Sequence, residues 1–434
     1  MSSIVIGLIG IVVLIAVFLL GMPIGFAMAF VGFIGFSYLV SLPAGLSIIA
    51  RDIFYNFSSY SLTVIPMFVF MGSIAFASGM SRRLYDAGYL LLGRLRGGLA
   101  MATVAGCAGF AAMCGSTNAT AAAMGRVSLP EMKRYNYADS LATGCVAAAG
   151  SLGILIPPST IFIIYGVMTE QSIGKLFVAG VFPGLLLAGF FTLVVAFLCW
   201  RNPSLAPLGA VTNWKEKLTG LIGISEMLLL FIFVIGGLFL GWFSPTQAGG
   251  AGAAGALVIG LARRQLTWAG FLAAVKDTLR ITCMVMVIVT GAIIFGHFMA
   301  VTKIPLVLAD WVAGLPLPTV AIMGVIVLIY LIGGCFMDAL ALITLTIPII
   351  YPVVLALGFD PIWFGVIIVL VTGMGVITPP VGVNVYVIKG IAKDVPLETI
   401  FKGVLPFLGA LLVATAILIA FPQIATFLPG LATP

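Results

Sequence analysis

Long apolar runs, separated by short polar segments, recur along the whole 434-residue chain. Runs of this length and hydrophobicity cross the hydrocarbon core of a bilayer as helices. The pattern predicts full crossings near 4–20, 23–42, 60–79, 140–168 and 176–200 in the first half, and near 225–242, 245–262, 281–301, 361–388 and 403–421 in the second. The chain is therefore predicted to be an all-α polytopic membrane protein.

The fourth crossing of each half contains a Pro-Pro pair that a regular helix cannot hold. These pairs are Pro157-Pro158 and Pro379-Pro380. Proline removes a backbone donor and clashes with the preceding turn, and the neighbouring glycines loosen the chain further. Opened backbone at this depth is tolerated where it is buried in protein or lines a wet cavity, so its carbonyls can bind a cation or a polar solute. Two proline kinks without a ligand are the alternative.

The two halves of the chain align with each other at a nearly constant offset. Residues of the same type fall at offsets between 219 and 223 in the following pairs: Gly72 with Gly291, Cys114 with Cys335, Pro157 with Pro379, and Pro183 with Pro406. A stable offset over the full length indicates an internal repeat, with repeat 1 at about 1–217 and repeat 2 at about 218–434.

Each half has a further apolar segment between its third and fourth crossings, at 98–125 and 316–352. We expect both to be re-entrant hairpins that return to the side from which they start. Each half then has five net crossings, and an odd number places the two repeats in opposite orientations. The predicted fold is an inverted repeat with two re-entrant hairpins and two broken helices.

The distribution of basic residues supports this topology. With the N-terminus outside, the cytoplasmic side holds seventeen of the twenty Lys and Arg, in loops and helix ends at 81–97, 126–136, 201–217, 263–280 and 389–402. Both termini are then periplasmic. The segment 81–97 carries four Arg among spaced leucines, which favours an amphipathic connecting arm in the interface, with 302–311 as its counterpart. A plain basic loop at 81–97 is the alternative.

The hairpin centres carry the candidate cation ligands. Asp338 is the only charged residue between Asp310 and Asp360, and a carboxylate at this depth needs a partner or a task. Carbonyls from Gly375 to Thr378 are expected to face it, and a sodium ion suits this set of oxygens. A protonated or hydrogen-bonded Asp near the interface is the other interpretation.

The first hairpin offers four neutral oxygen-bearing side chains at the equivalent point, Ser116, Thr117, Asn118 and Thr120. Ser116 and Asn118 are expected to form a second cation site with carbonyls beginning at Gly153. Helix capping alone is the simpler interpretation of these side chains. Half-helix N-termini at the tips and breaks would attract an anionic substrate. The candidate substrate-contacting residues are Thr117, Pro157, Ser159, Thr160, Pro379 and Asn384.

Composition excludes several classes of protein. Hydrophobic residues make up 62% and charged residues 8% of the chain, and membrane orientation accounts for the net charge of +7, so nucleic-acid binding is not indicated. The six cysteines lie in apolar segments without C-x-x-C spacing, and no cofactor is expected beyond sodium as a coupling ion. Protease and hydrolase motifs are absent from the sequence, so we do not expect an enzyme. A channel fits paired breaks less well than alternating access does.

The paired Gly153-to-Ser159 and Gly375-to-Gly382 breaks, with Ser116-Thr117-Asn118 preceding the first, resemble the large membrane subunit of TRAP (tripartite ATP-independent periplasmic) transporters. The resemblance covers essentially the whole chain. It implies sodium-driven, elevator-type import of an organic acid, either sialic acid or a C4-dicarboxylate, with overall likeness slightly favouring sialic acid. It also implies two partners in the bacterial inner membrane system, a small four-helix membrane subunit and a periplasmic substrate-binding protein.

The resemblance further assigns 1–80 and 205–301 to a scaffold, and 98–200 and 312–430 to a moving transport domain. Stand-alone sodium/divalent-anion symporters share such an architecture without a binding protein. They often carry Ser-Asn-Thr at both hairpin tips, and Met337-Asp338 departs from that pattern.

Overall fold

The computed structural model describes residues 2–208 and 213–431, except for the side chain of Trp214. Every regular element within those ranges is a helix, as the apolar pattern predicts. The first half contains α1 (Ser3–Leu19), α2 (Ile24–Leu39), α3 (Leu42–Ser58), α4 (Val64–Ala77), α5 (Met80–Leu92), α6 (Gly98–Cys114), α7 (Thr117–Arg134), α8 (Asp139–Ala149), α9 (Leu152–Leu155), α10 (Thr160–Thr169) and α11 (Ile173–Arg201). The second half contains α12 (Trp214–Gly223), α13 (Ser225–Phe239), α14 (Pro245–Ala262), α15 (Trp268–Thr302), α16 (Ile304–Ala313), α17 (Thr319–Phe336), α18 (Ala339–Ala356), α19 (Pro361–Gly375), α20 (Val383–Ile391), α21 (Leu397–Ala420) and α22 (Gln423–Leu431).

Within the described ranges, six helical segments are each long and apolar enough to cross a membrane. They are Asp139–Thr169, Ile173–Arg201, Trp268–Thr302, Thr319–Phe336, Ala339–Ala356 and Leu397–Ala420. Two bent pairs of helices raise the number to eight if each pair is one span. Further apolar helices, including α1, α2 and α19, are shorter than 18 residues. The chain is thus a multi-pass membrane protein.

Some helices extend beyond the predicted apolar runs. Helix α3 was not predicted, because its polar residues interrupt the apolar pattern that marks a crossing. Helix α15 begins at Trp268, well before the predicted start at 281, because helical structure continues through a charged stretch. Helices α12 and α22 were also not predicted. The predicted cytoplasmic segment 201–217 and the end of repeat 2 lie partly outside the described residues.

Six helices, α1, α2, α4, α13, α14 and α15, form what we call the paired bundle. Its central contacts are α2 against α15 and α4 against α14, which are equivalent pairs under the repeat. Glycine allows the closest approach, because Gly291 packs against the carbonyl oxygen of Gly25 and leaves no room for a Cβ atom. Small residues at such crossings let membrane helices pack backbone to backbone.

Helices α6 to α11 and α17 to α22 form what we call the hairpin bundle. Hairpin 1 is α6 with α7, and hairpin 2 is α17 with α18. Helix α7 packs on α20, and the equivalent helix α18 packs on α10, so each hairpin contacts the half-helix that follows the break of the other repeat. Lys133, near the end of α7, also donates a hydrogen bond to Asp394 after α20, and this bond lowers the pKa of the Asp394 carboxyl.

Helices α5 and α16 connect the two bundles at the positions predicted for the arms. The predicted segment 81–97 contains all of α5 except Met80, and 302–311 contains most of α16. Helix α5 is amphipathic. It buries Met80, Leu84 and Tyr85, whereas Arg82 is exposed. A regular helix replaces the alternative of a plain basic loop over most of 81–97.

Candidate substrate and cation site

Both Pro-Pro pairs interrupt their helices where the sequence predicts. Helix α9 ends at Leu155 and α10 begins at Thr160, so four residues between them are not helical. In the second repeat, α19 ends at Gly375 and α20 begins at Val383. The opened backbone is the first component of the predicted site.

Hairpin 1 turns at Gly115, which has a left-handed backbone with φ of +64°. Glycine adopts this conformation without steric cost. Ser116 caps α7, because its hydroxyl accepts a hydrogen bond from the amide of Ala119 at 3.5 Å. The carbonyl oxygen of Gly115 accepts two bonds from Thr160, from the amide at 3.3 Å and from the hydroxyl at 2.9 Å. The tip of hairpin 1 is therefore fixed to the break of its own repeat.

Hairpin 2 turns at Met337, and Asp338 caps α18. One carboxylate oxygen of Asp338 accepts a hydrogen bond from the amide of Leu340 at 3.1 Å. The amide of Val381 in the second break donates to the carbonyl of Cys335 at 3.3 Å. Both tips therefore cap their second helix, and both bond to the Pro-Pro break of their own repeat.

A small cradle of oxygens lies beside Gly153 in the first break. A Cβ atom at Gly153 would lie 2.6 Å from the Thr120 hydroxyl and even closer to the Ser116 carbonyl oxygen. The Thr120 hydroxyl is buried and has no hydrogen-bond partner among the described residues. A buried hydroxyl without a partner is costly, so a ligand that accepts its lone pairs would stabilise it. Carbonyl and hydroxyl oxygens are ligands that sodium takes, and these two would supply part of its coordination.

The second break packs differently. A Cβ atom at Gly334 would lie 2.9 Å from the Cα atom of Gly375, so hairpin 2 and α19 touch backbone to backbone. Thr378 donates its hydroxyl hydrogen bond to the carbonyl of Met374 at 2.7 Å. These hydrogen bonds join other atoms. That the carbonyls from Gly375 to Thr378 face Asp338 stays a prediction.

The two hairpin tips meet in a cavity of about 300 Å³ between the bundles. Helices α4 and α15 of the paired bundle form one wall, and the hairpin tips with the start of α10 form the other. Its polar and charged lining residues are Ser73, Ser116, Thr117, Asn118, Arg126, Thr160, Asp277 and Asp338. Most of the remaining lining is apolar, which is typical of a small-molecule site.

Arg126 is the one basic residue that lines this cavity among the described residues. Its guanidinium carbon lies 5.9 Å from the ring centre of Phe76 on α4, so a cation–π contact joins α7 to the paired bundle. Asp277 on α15 lines the same cavity. The cavity therefore holds one guanidinium and the carboxylates of Asp277 and Asp338, and it can offer a planar two-donor partner to a carboxylate.

The structure brings some of the predicted site residues together and separates others. Those that line the cavity are Ser116, Thr117, Asn118, Thr160 and Asp338. Those that do not line it are Gly153, Pro157, Ser159, Gly375, Thr378, Pro379 and Asn384. Gly153 instead forms the cradle behind the first tip, whereas Pro379 is exposed and Pro157 is buried.

Ser159 and Asn384 have structural partners. Ser159 caps α10 by accepting from the amide of Phe162 at 3.4 Å. Asn384 is fully buried and donates to the carbonyl of Ala147 at 3.1 Å, so it joins α20 to α8 where the broken helices of the two repeats cross. Both side chains stabilise the broken helices instead of facing the cavity, because each is held by backbone from a neighbouring turn or helix.

Sequence reasoning missed two residues. Arg126 was assigned to a cytoplasmic basic segment, although it lies on the same helix as the tip. Thr120 belongs to the neutral oxygen-bearing side chains of the tip, but the sequence alone does not mark it as a ligand. It lies four positions after Ser116, a spacing that places both residues on one face of a helix.

This combination of broken helices, paired hairpins and a central polar cavity defines a class of protein, the α-helical secondary transporters. Solved structures support the fold. The YdaH transporter of Alcanivorax borkumensis superposes with a TM-score of 0.62 at 15% identity, covering 90% of each chain.

The chain belongs to the family described as "Tripartite ATP-independent periplasmic transporter, DctM component", whose model matches residues 11–424. It is 36% identical to the C4-dicarboxylate TRAP transporter large permease DctM of Pseudomonas aeruginosa, covering 90% of this chain and 91% of that protein. It is 33% identical to the sialic acid TRAP transporter large permease SiaM of Vibrio cholerae, covering 95% of both.

A third relative is longer than this chain. The isethionate TRAP transporter permease DctMQ of Oleidesulfovibrio alaskensis is 36% identical over 94% of this chain but only 64% of its own length. All three relatives are named as transporter permeases. The chain is thus a TRAP large permease, a membrane transport protein and not an enzyme.

Proposed function

We propose that this permease couples the inward movement of sodium to the import of an organic acid through an elevator movement of the hairpin bundle. The observation that carries the proposal is the meeting of both hairpin tips, each bonded to an opened helix, in one cavity between two bundles. Opened helices at a repeat interface are where secondary transporters bind substrate and coupling ions.

The cradle at Gly153 supports sodium coupling. It presents the Ser116 carbonyl and the unpaired Thr120 hydroxyl to a space that a Cβ atom would fill. A sodium ion there would also place a positive charge behind the tip that forms the cavity wall. Its binding would therefore favour an anion in the cavity. Asp338 offers a charged oxygen for a second sodium ion at the other tip.

Arg126 supports an anionic substrate. A carboxylate in the cavity would accept two parallel hydrogen bonds from its guanidinium, and the N-terminal amides of α7 and α18 would add their positive dipole ends. The three relatives described above are named for isethionate, C4-dicarboxylates and sialic acid, which are all organic acids, and two others are named for ectoine. Within this class we propose sialic acid or a C4-dicarboxylate.

The elevator movement is supported by the contrast between the two seams that join the bundles. The first seam contains the polar cavity, and Arg126 and Asp277 both belong to segments that the basic-residue pattern assigns to the cytoplasm. The other seam is mostly apolar, with Gly296 of α15 facing Pro348 of α18 beside a cavity of about 210 Å³. We therefore propose that the cavity faces inward here, with the paired bundle as scaffold and the hairpin bundle as the transport domain.

The proposed setting is the bacterial inner membrane, with both termini in the periplasm and the two repeats inverted. The proposed partners are a small four-helix membrane subunit and a periplasmic substrate-binding protein. The paired bundle exposes many large apolar side chains on α1, α2 and α13, which suit contact with lipid or with another membrane helix.

Reconstitution tests this proposal. The permease is placed in vesicles with its proposed small membrane subunit, and uptake of radiolabelled sialic acid and succinate is measured with and without an inward sodium gradient. We expect uptake that needs both the gradient and the added binding protein. Robust sodium-driven uptake without the binding protein would instead indicate a stand-alone symporter, and uptake independent of sodium would contradict the coupling.

A further inference from the structure

Three charged residues join the arm to the paired bundle, and we call them the arginine junction. Arg83 of α5 donates to a carboxylate oxygen of Glu226 at 2.8 Å. Arg263, immediately after α14, donates to both carboxylate oxygens of Glu226 at 2.7 and 2.9 Å. The Glu226 carboxylate therefore binds two guanidinium groups. Its two oxygens already accept three hydrogen bonds, so they have little capacity left for a further donor.

The junction has more positive charge than Glu226 can neutralise. Two guanidinium groups face one carboxylate, and Arg82 and Arg264 are their neighbours in the chain, of which Arg82 interacts with Asp86. The Nε and Nη2 atoms of Arg83 are buried and have no hydrogen-bond partner among the described residues. Unpaired donors of a charged group in a protected site are costly, so turning these donors outward to an external acceptor would lower the free energy.

The surroundings of the junction are those of an amphiphile. Glu226 lies in the first turn of α13, and Arg263 follows the last turn of α14, so the junction lies where two apolar helices leave the membrane. Leu229 and Phe233 lie three and seven positions after Glu226, on the same face of α13, and both are exposed. A basic group at the end of an exposed apolar stripe matches a phosphate attached to acyl chains.

We propose that the arginine junction binds the phosphate of an anionic phospholipid, whose acyl chains lie along the exposed face of α13. The phosphate accepts hydrogen bonds from the free donors of Arg83 and neutralises the surplus charge. A lipid bound there contacts both the arm and the paired bundle, so it stabilises the end of the arm that must stay fixed while the hairpin bundle moves. The binding site itself does not depend on the transported solute.

Native mass spectrometry of the full-length chain tests the site. The chain is reconstituted in nanodiscs of phosphatidylcholine with increasing phosphatidylglycerol, and retained lipid is counted after release. We expect one phosphatidylglycerol to be retained, and Arg83→Gln to weaken its binding at least about tenfold, as for the loss of charge-assisted hydrogen bonds. The control Arg94→Gln removes the same charge beyond the end of α5 and should change binding by about twofold at most.

Glu226→Gln gives a second test with the opposite sign. Removing the carboxylate releases Arg83 and Arg263, so phosphatidylglycerol should bind as tightly as before or more tightly. If Glu226→Gln loses the lipid, or if Arg94→Gln weakens binding as much as Arg83→Gln, the proposed site is wrong. Melting temperatures of each variant identify any that does not fold, in which case Arg263→Gln replaces Arg83→Gln.

Competition with inorganic phosphate distinguishes a bound lipid from a bound free anion. The phosphate is added to the nanodiscs at concentrations far above that of the lipid. Retention of phosphatidylglycerol supports the proposal, because the acyl chains add binding that a free ion lacks. Complete displacement by inorganic phosphate would assign the junction to a soluble anion and overturn the lipid assignment.

Discussion

Thr160 donates two hydrogen bonds, from its amide and its hydroxyl, to the same carbonyl oxygen of Gly115. The two residues are 45 positions apart in the chain, so this contact joins the tip of hairpin 1 to the half-helix that follows the first break. Thr160 is also one of the residues that line the cavity. One side chain thus links the geometry of the tip to the wall that a substrate contacts.

Replacing Thr160 with Val removes the hydroxyl and keeps the shape of the side chain. The tip would keep its amide bond to Gly115 but would lose about 1 kcal/mol of hydrogen bonding, so we expect the half-maximal sodium concentration for uptake to rise about fivefold. Sodium titrations of uptake in vesicles measure this change. Thr160→Ser is the control, because it keeps the hydroxyl. Equal sodium dependence in Thr160→Val and wild type would show that the tip does not need this bond.

Gly153→Ala should abolish sodium-dependent uptake. The added methyl group would fill the cradle, because it would lie 2.6 Å from the Thr120 hydroxyl and against the Ser116 carbonyl. Sodium-induced protection of the folded protein against heating measures binding independently of transport.

The matched control for this variant is Gly189→Ala. A Cβ atom at Gly189 on α11 meets no atom of the described residues within 4 Å, so this substitution should leave uptake unchanged or add slight helix stability. Normal sodium protection in Gly153→Ala would exclude the cradle as a sodium site.

The sequence was sufficient to predict the breaks and the turns of the hairpins, because proline and glycine act through the local backbone. Pro157-Pro158 prevents regular helix wherever it lies, and Gly115 permits a left-handed turn without any long-range contact. For the same reason Ser116 and Asp338 were found at the tips. The all-helical architecture followed from the lengths of the apolar runs, because a bilayer offers no water and the backbone N–H and C=O groups must hydrogen-bond to one another.

The missing parts depended on contacts that no local pattern shows. Asn384 seemed suited to the cavity, but its side chain turns to the carbonyl of Ala147 in the other repeat. In the sequence, Arg126 resembles any basic residue at a membrane boundary. It lines the cavity because residues of α4 and α15 lie on the other side of that cavity. The unpaired state of Thr120 likewise follows from how Gly153 packs against the tip. Such facts need the packing of the two repeats, which helix periodicity alone does not determine.

Asp338→Asn should lower the sodium dependence of uptake while the protein remains folded. The amide oxygen can still accept from Leu340 and cap α18, but it lacks the charge that a cation would bind. We expect the Hill coefficient for sodium to fall towards that of a single site.

Asp360→Asn provides the matched control for the charge. Asp360 caps α19 by accepting from the amide of Trp363 at 2.8 Å, and it does not line the cavity. Its substitution should therefore leave the sodium dependence unchanged. A wild-type Hill coefficient in Asp338→Asn would reject the charged sodium site.

Arg126→Gln should weaken substrate binding more than it slows the transport cycle. Loss of a charge-assisted pair costs about 1.5 to 3 kcal/mol, so the KM for an organic acid should rise about 10- to 100-fold. Arg134→Gln removes a charge near the end of the same helix, outside the cavity, and should keep the wild-type KM. An unchanged KM in Arg126→Gln, with substrate still transported, would remove this residue from the substrate site.

A disulfide across the apolar seam tests the elevator movement directly. A Cβ atom at Gly296 of α15 would lie 3.9 Å from the Cβ atom of Pro348 on α18, a separation that suits a disulfide bond. The double variant Gly296→Cys with Pro348→Cys should therefore cross-link under mild oxidation and fix the hairpin bundle against the paired bundle. We expect oxidation to stop uptake and a reducing agent to restore it, whereas each single variant stays active under both conditions. If the cross-linked protein transports substrate as fast as the protein does after treatment with a reducing agent, the two bundles do not slide past each other at this seam. An elevator movement along this seam would then be wrong.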